Sequence, residues 1–509
     1  MKSSATKMSL FLLLAVVGVI ACNKKLDVLD ENRPTSESYF KTASELQNGV
    51  NSVYSILRSG NMIAREWYTL HDMRGGEYNF GGPQLEAPRA ELLTQPNAAA
   101  TNSVMSSIWT GCYHMINRAN LVLAKAPDVT DDVNLRDRVV GEAKFLRAWA
   151  YYELVSQWGD VPVYTAPITA PTDYNGKTPA AEVYNLIVTD LTEAAQALPA
   201  NYGSSDNGRA TSGAATAMLG RVLIQKGDYG AAKTALLGLV GKYSLVDNYN
   251  WNFDGDVAND NGSAAFSGHE FNAESIFEVV FVDRGDGSFN WGYNGEGSNS
   301  ALANARTQDW GKTWGNVIPS TRLLNEYEPN DPRYKFTIWE EGDLILTGST
   351  SQSPVALTAA DINTNTSIKN GVEKKRFFRK YNIYEWVNSG NHYGGLNQRL
   401  LRYADVLLML AECEAEVGTP AQAAIYINQV RARPSVNMPP VVLGSKDEAL
   451  KAVMHERWVE LAAEEVINVD VLRWKKKGYF PSIMPDPRPG QVDMLPIPAA
   501  EISANPKLQ

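Results

Sequence analysis

The chain has 509 residues, 44% of them hydrophobic and 20% charged, with a formal net charge of −10. That length allows up to about three domains of ordinary size and a sizeable buried core, and the composition excludes disorder throughout. No basic stripe is present, which excludes a nucleic-acid partner; three cysteines (Cys22, Cys112 and Cys413) exclude a disulfide framework and any Cys-x-x-Cys metal or redox site.

The amino terminus reads as an address. Lys2 and Lys7 precede an apolar run from Leu10 to Ala21. The run falls short of the about 20 residues that span a bilayer and suits the core of a signal peptide. It ends in Val19-Ile20-Ala21-Cys22, which resembles a bacterial lipobox. In that reading residues 1–21 are removed and Cys22 carries a diacylglycerol, each buried methylene contributing about 0.8 kcal/mol to membrane anchoring. The other reading of the same residues is an ordinary signal peptide followed by an incidental cysteine. No later stretch has the length of a membrane-spanning helix, and the serial alternating strands of an outer-membrane barrel are absent. The mature chain, 22–509, is therefore expected to be tethered to a membrane without crossing it.

Leu46, Val50, Val53, Tyr54 and Leu57 recur at helical spacing and predict a helix over 43–58. A longer one is predicted over 102–126, with Cys112 as a small core residue; Cys413 has the same expected role. Further helices are predicted at 134–156, 180–197, 211–226, 229–241, 403–417, 420–433 and 446–463. The stretch Leu219 to Ala232 places a small residue after Leu, a helix-closing Gly227 and then Ala232; Leu410-Ala411 through Gly418 to Ala423 repeats those offsets. The pattern resembles a tetratricopeptide repeat, without the regular period of about 34 residues that a solenoid needs. Between the helical blocks, residues 243–380 are rich in Gly, Asn, Asp, Ser and aromatics, with a strand-like run from Ile276 to Val282 and a long loop over 343–370. This region reads as an elaboration inserted into a helical frame formed by 22–242 and 381–509, and loops on a rigid frame are where binding residues concentrate.

Seven segments carry a family resemblance. They are GEAKFLRAWAYYELVSQWGDVP (Gly141 to Pro162), Gly208-Arg209-Ala210-Thr211, ESIFEVVF (Glu274 to Phe281), Asn330-Asp331-Pro332-Arg333, LLRYADVLLMLAECEAEVG (Leu400 to Gly418), Val430-Arg431-Ala432-Arg433 and Leu495-Pro496-Ile497-Pro498. In this order, after a lipobox, the sequence resembles the SusD/RagB family of surface lipoproteins in bacterial nutrient uptake. Glu456-Arg457-Trp458-Val459-Glu460-Leu461 departs from the family's Glu-Arg-Arg-x-Glu-Leu block at Trp458, and Ile467 stands where Arg is usual; altered local packing is expected there. The resemblance implies a mainly α, SusD-like fold with four tetratricopeptide-like helix pairs and a loop-rich ligand-binding insertion. It also implies a lipid anchor on the exterior of the outer membrane, a SusC-like TonB-dependent transporter as partner, and an oligosaccharide as ligand, with peptides taken by some members.

Sugar recognition uses flat apolar rings and planar polar groups. Residues 289–314 hold Phe289, Trp291, Tyr293, Trp310 and Trp314, about twice the chain's aromatic average of 10%, with Asn290, Asn294, Asn304 and Arg306 among them. A second region, 65–80, holds Trp67, Tyr68, Tyr78 and Asn79. Trp67, Tyr78, Asn79, Trp291, Tyr293, Arg306, Trp310 and Trp314 are the candidate ligand contacts; the competing reading is that the aromatics pin loops to the frame. Asp254, Asp256 and Asp260 form an oxygen-rich cluster that could take a structural calcium, although no EF-hand register fits and a solvated turn is the simpler reading. No nucleophile elbow, phosphate loop or His-Glu-x-x-His occurs. The expected function is binding without catalysis or cofactor, against two alternatives: a glycan-cleaving enzyme on a helical scaffold, and a periplasmic interaction scaffold.

Overall fold

The computed structural model describes residues 39–254, 269–281, 304–311, 314–345, 355–381 and 395–509. Cys22, Asp256, Asp260, Trp291 and Tyr293 lie outside them.

The helical frame begins with α1 (Ala43–Leu57), α2 (Glu66–Gly75), α3 (Ala87–Thr94) and α4 (Ser103–Lys125). Thr42 and Glu45 form a capping box that fixes the start of α1, and the periodic residues Leu46, Val50, Val53 and Leu57 are buried. Cys112 is buried within α4 and Cys413 in a later helix, as core residues. α5 (Val133–Trp158), α6 (Ala180–Ala197), α7 (Ser212–Lys226) and α8 (Tyr229–Leu237) follow. α1 packs on α4, α5 on α6 and α7 on α8, with α6 against α7. Gly227 ends α7 in the left-handed region at φ +81, and a Cβ on Gly220 would come 2.3 Å from Leu236, so α7 and α8 approach through glycine.

The middle region contributes β2 (Ser275–Val279), α9 (Arg306–Trp310), α10 (Thr321–Glu326), α11 (Arg333–Thr337) and a small three-stranded sheet. In that sheet β4 (Ile338–Glu340) and β7 (Thr366–Lys369) flank β8 (Val372–Phe378), all antiparallel. Part of the stretch expected as a loop over 343–370 is thus strand: β5 (Leu344–Ile345) pairs with β6 (Val355–Ala356), and β7 turns into β8 through Asn370-Gly371, both at positive φ. Such a two-residue turn is the tightest connection between antiparallel strands.

β9 (Gln398–Arg402) pairs with β2 and leads into α12 (Tyr403–Val417), α13 (Pro420–Arg431), α14 (Lys446–Glu460), α15 (Ile467–Lys476) and α16 (Ala499–Ala504). α12 packs on α13, and α8 packs on α12. The two repeat-like stretches, far apart in sequence, are therefore neighbours in one stack of four helix pairs. α14 stops at Glu460, short of the expected 463, because Ala463 and Glu465 adopt positive φ. Among the described residues no helix is long and apolar enough to cross a membrane.

The segments that carry the family resemblance meet one another in the interior. Glu142 pairs with Arg209 at 2.9 Å. Glu274 pairs with Arg402 and Arg433, both at 2.7 Å. Arg333 binds Asp331 at 2.8 Å and also Glu456 and Glu460; Arg457 binds Asp405 at 2.7 Å and Asp470 at 2.6 Å. Burial alone would raise the Glu460 carboxyl, but Arg433, Arg402 and Arg333 outweigh it and hold the group down at about 2. Charges this buried persist only because each finds several partners. Trp458, the departure from the family block, is fully buried, and Arg322 of α10 lies over its ring at 5.2 Å.

Candidate functional site

β1 (Tyr78–Phe80) runs antiparallel to β3 (Val317–Pro319), with Asn79 opposite Ile318 and Phe80 opposite Val317. Tyr78 points inward: its ring stacks on Phe378 at 4.3 Å and tilts against Trp310 at 6.0 Å. Asn79 and Phe80 are exposed, Phe80 to 39%. Just beyond, three stretches of backbone press together. A Cβ on Gly81 would lie 2.2 Å from the Gly315 carbonyl, and one on Gly315 would lie 2.0 Å from that of Asn363. The Asn365 N–H donates to the Gly81 carbonyl at 2.5 Å, and its side-chain amide donates to the Phe80 carbonyl at 3.4 Å. This edge carries Asn79, Phe80, Asn363 and Asn365 as exposed side chains, with Trp314 half-buried nearby. Adjacent to it a cavity of about 440 Å³ opens between β1, the end of α3, the start of α10 and the turn at 487–491.

Beneath the edge lies a buried polar-aromatic node. The Trp310 indole N–H donates to Asp72 at 2.7 Å, and the Tyr68 hydroxyl donates to Asp309 at 2.9 Å. Arg306 lies over Tyr381 at 4.6 Å, donates to the Ala463 carbonyl at 2.6 Å and pairs with Glu465. Trp67 packs against His71 and Trp149. These contacts correct the expectation for four residues. Trp67, Tyr78, Arg306 and Trp310 are at most 5% exposed, so protein covers the faces that a ligand would need. The Trp310 N–H and the terminal nitrogens of Arg306 have internal partners, and the node pins α9 to α2. Of the remaining candidates, Asn79 is exposed and Trp314 half-buried. Phe80, Asn363 and Asn365 were missed; an aromatic directly before Gly-Gly-Pro, and an Asn-Thr-Asn run in a loop, were the available signals.

The node is acid-rich. Burial pushes Asp72 up to about 6 against the pull of Arg306. Burial, reinforced by the charge of Asp72, pushes Glu77 up to about 8, although the Ala463 N–H donates to it at 2.8 Å. Asp254, the calcium candidate within the described residues, pairs with His269 at 2.8 Å. Among the described residues no cluster of His, Cys, Asp and Glu could hold a metal ion.

One family model, described as "Starch-binding associating with outer membrane" and named SusD-like, matches residues 26–224; a second, the SusD family, matches 273–509. The chain belongs to the SusD/RagB family. SusD-like protein P25 of Formosa agariphila is 27% identical over 511 residues, covering 93% of this chain and 92% of that one. Among solved structures, a laminarin binding SusD-like protein superposes with a TM-score of 0.70 at 25% identity, over 91% of this chain and 98% of that one. Surface glycan-binding protein A from Bacteroides thetaiotaomicron, solved with laminarihexaose, has the same fold: TM-score 0.69 at 21% identity, over 92% of this chain and 99% of that one.

Proposed function

We propose that this SusD/RagB protein is a cell-surface lipoprotein, anchored through Cys22, that captures an oligosaccharide and passes it to a SusC-like TonB-dependent transporter. The observation that carries the reading is the exposed edge at Asn79 and Phe80, seated on a rigid buried node. A ring and several side-chain amides supply the two kinds of group that sugar recognition needs, and the node fixes them before ligand arrives, which lowers the ordering cost of binding. The laminarin-binding relative supports a glycan as the ligand class. The lipobox-like Val19-Ile20-Ala21-Cys22 supports the anchor. The role is binding without turnover: capture of modest affinity, then release into a channel.

A glycan array probed with the protein tests this directly, followed by calorimetry on Phe80→Ala, Asn79→Ala, Trp314→Ala and Trp291→Ala. Loss of affinity with unchanged melting temperature is expected for at least the first two. A blank array, peptide binding in its place, or shortening of the bound glycan would refute the reading. Acyl labelling that disappears in Cys22→Ala, and co-purification with an outer-membrane barrel, test the anchor and the partner.

A further inference from the structure

The cavity beside Asn79 has a one-sided charge. Arg322 and Arg488 line it, and Arg74 lies close to Arg488. Arg488 donates to the carbonyls of Met73 at 2.7 Å and Leu92 at 3.4 Å, and Arg74 donates to that of Val492 at 3.1 Å. Among the described residues neither Arg74 nor Arg488 forms an ion pair, whereas Arg306, Arg333, Arg402 and Arg433 each hold a carboxylate. The nearby acids are engaged: Asp486 accepts the Arg488 backbone N–H at 2.8 Å, Asp493 pairs with Lys475 at 3.1 Å, and Glu326 pairs with Arg322 at 3.1 Å. Burial, aggravated by the neighbouring Arg488, lowers Arg74 to about 9; burial also lowers Arg488, with Asp486 offsetting part of it. Gathering guanidinium groups with only carbonyls to receive them is costly, and an anion would relieve that cost.

A second observation points the same way. Gln491 is 5% exposed and lines the cavity, yet neither its amide nitrogen nor its amide oxygen has a hydrogen-bond partner. A buried amide left without partners is destabilising, so such a group marks a place where a ligand atom fits. Leu93 and three prolines supply apolar wall, and Thr321 and Asn79 supply further polar groups. The volume of about 440 Å³ is that of an ordinary small-ligand site.

We infer that this cavity receives the anionic substituent, a carboxylate or a sulfate, of an acidic saccharide unit, with Arg488 as its charge partner and Gln491 and Asn79 bonding its hydroxyls. The inference rests on the glycan-binding reading and narrows the ligand to anionic oligosaccharides. Nη1 and Nη2 of Arg488 each donate to one carbonyl, which holds the guanidinium in place, and three of its five N–H groups remain for an oxyanion.

Calorimetry on the full chain in detergent, with trigalacturonate, a sulfated carrageenan tetrasaccharide and neutral laminarihexaose, tests it at about 50 and about 500 mM NaCl. At least one acidic probe should bind more tightly than the neutral one, and the preference should shrink at high salt; which probe responds separates carboxylate from sulfate. Arg488→Gln should cut the acidic-to-neutral affinity ratio about tenfold, and Arg488→Lys should keep part of it. Gln491→Glu, which adds a carboxylate without removing an arginine, should lower the same ratio and covers the case in which Arg488→Gln does not fold. Equal affinity for acidic and neutral probes, failure of both acidic probes to bind, or a preference that survives both Arg488→Gln and Gln491→Glu overturns the inference. The broader reading falls separately, on a blank glycan array.

Discussion

Glu77 follows α2 and has its carboxyl fully buried, with one N–H donor, from Ala463, and no ion-pair partner among the described residues. Burial, joined by the charge of Asp72, raises its pKa from 4.5 to about 8; Lys380 and Arg306 act in the opposite sense but more weakly. Between those two pH values the unfolded chain has lost this proton and the folded chain keeps it. The folded state then binds more protons, so stability falls as pH rises through the window and levels off above about 8. At about 1.4 kcal/mol per pKa unit, the full effect is on the order of 3–5 kcal/mol. Glu77→Gln removes the titration and keeps an oxygen to accept the Ala463 N–H. Urea unfolding at intervals from about pH 5 to about pH 8.5 should show the variant close to the parent in acid and several kcal/mol more stable in base, with part of the slope remaining because burial also raises Asp72. A stability difference that is the same at every pH, or a variant weaker than the parent at high pH, would refute the reasoning.

Arg402→Met leaves Glu274, Glu460 and Glu464 short of a partner, and should cost about 3–5 kcal/mol in urea unfolding; a loss under about 1 kcal/mol would show that the web is not held as described. Because Arg433, Arg402 and Arg333 overcome burial to hold Glu460 at about 2, its contribution is present above pH 4.5 and is lost as pH falls toward 2; an Arg402→Met variant should therefore unfold at a higher pH than the parent in acid titration. Gly220→Val drives a side chain into Leu236, and should lower stability by about 1–3 kcal/mol in thermal melts, whereas Gly230→Ala, open on all sides, should be nearly neutral. Trp310→Phe removes the bond to Asp72 and should destabilise the fold by about 1–3 kcal/mol in urea unfolding, with Phe80-dependent glycan binding persisting wherever the protein remains folded.

What was legible in the sequence follows from the range of the forces. Helices such as 180–197 and 403–417 are set by nearby periodicity and agree with the structure to the residue. The end of α14 was misread because the positive φ angles at Ala463 and Glu465 belong to a turn that delivers carbonyls to Arg306 and Lys380, a demand made by distant parts of the chain. The burial of Trp67, Tyr78 and Trp310 has the same cause. Trp310 reads as a surface platform until Asp72, 238 residues away, is seen to hold its N–H. The hairpin at Asn370-Gly371, by contrast, carried a short-range turn signal inside a stretch expected as loop.

The same distinction bears on where ligand contacts should be sought. The segments that identify the family supply Glu142, Arg209, Glu274, Arg333, Arg402, Arg433 and Arg457, and those groups are spent on one another in the interior. A buried charge that already has its partners offers nothing to a ligand, so likeness at those positions specifies the frame and leaves the ligand open. Recognition has to rest on groups the frame does not consume. Asn79 and Phe80 stand outside it by exposure, and Arg488 and Gln491 by having no carboxylate and no amide partner respectively. In a protein that pairs Arg306, Arg333, Arg402 and Arg433 with carboxylates, these are the groups whose substitution should change what is bound while the fold persists.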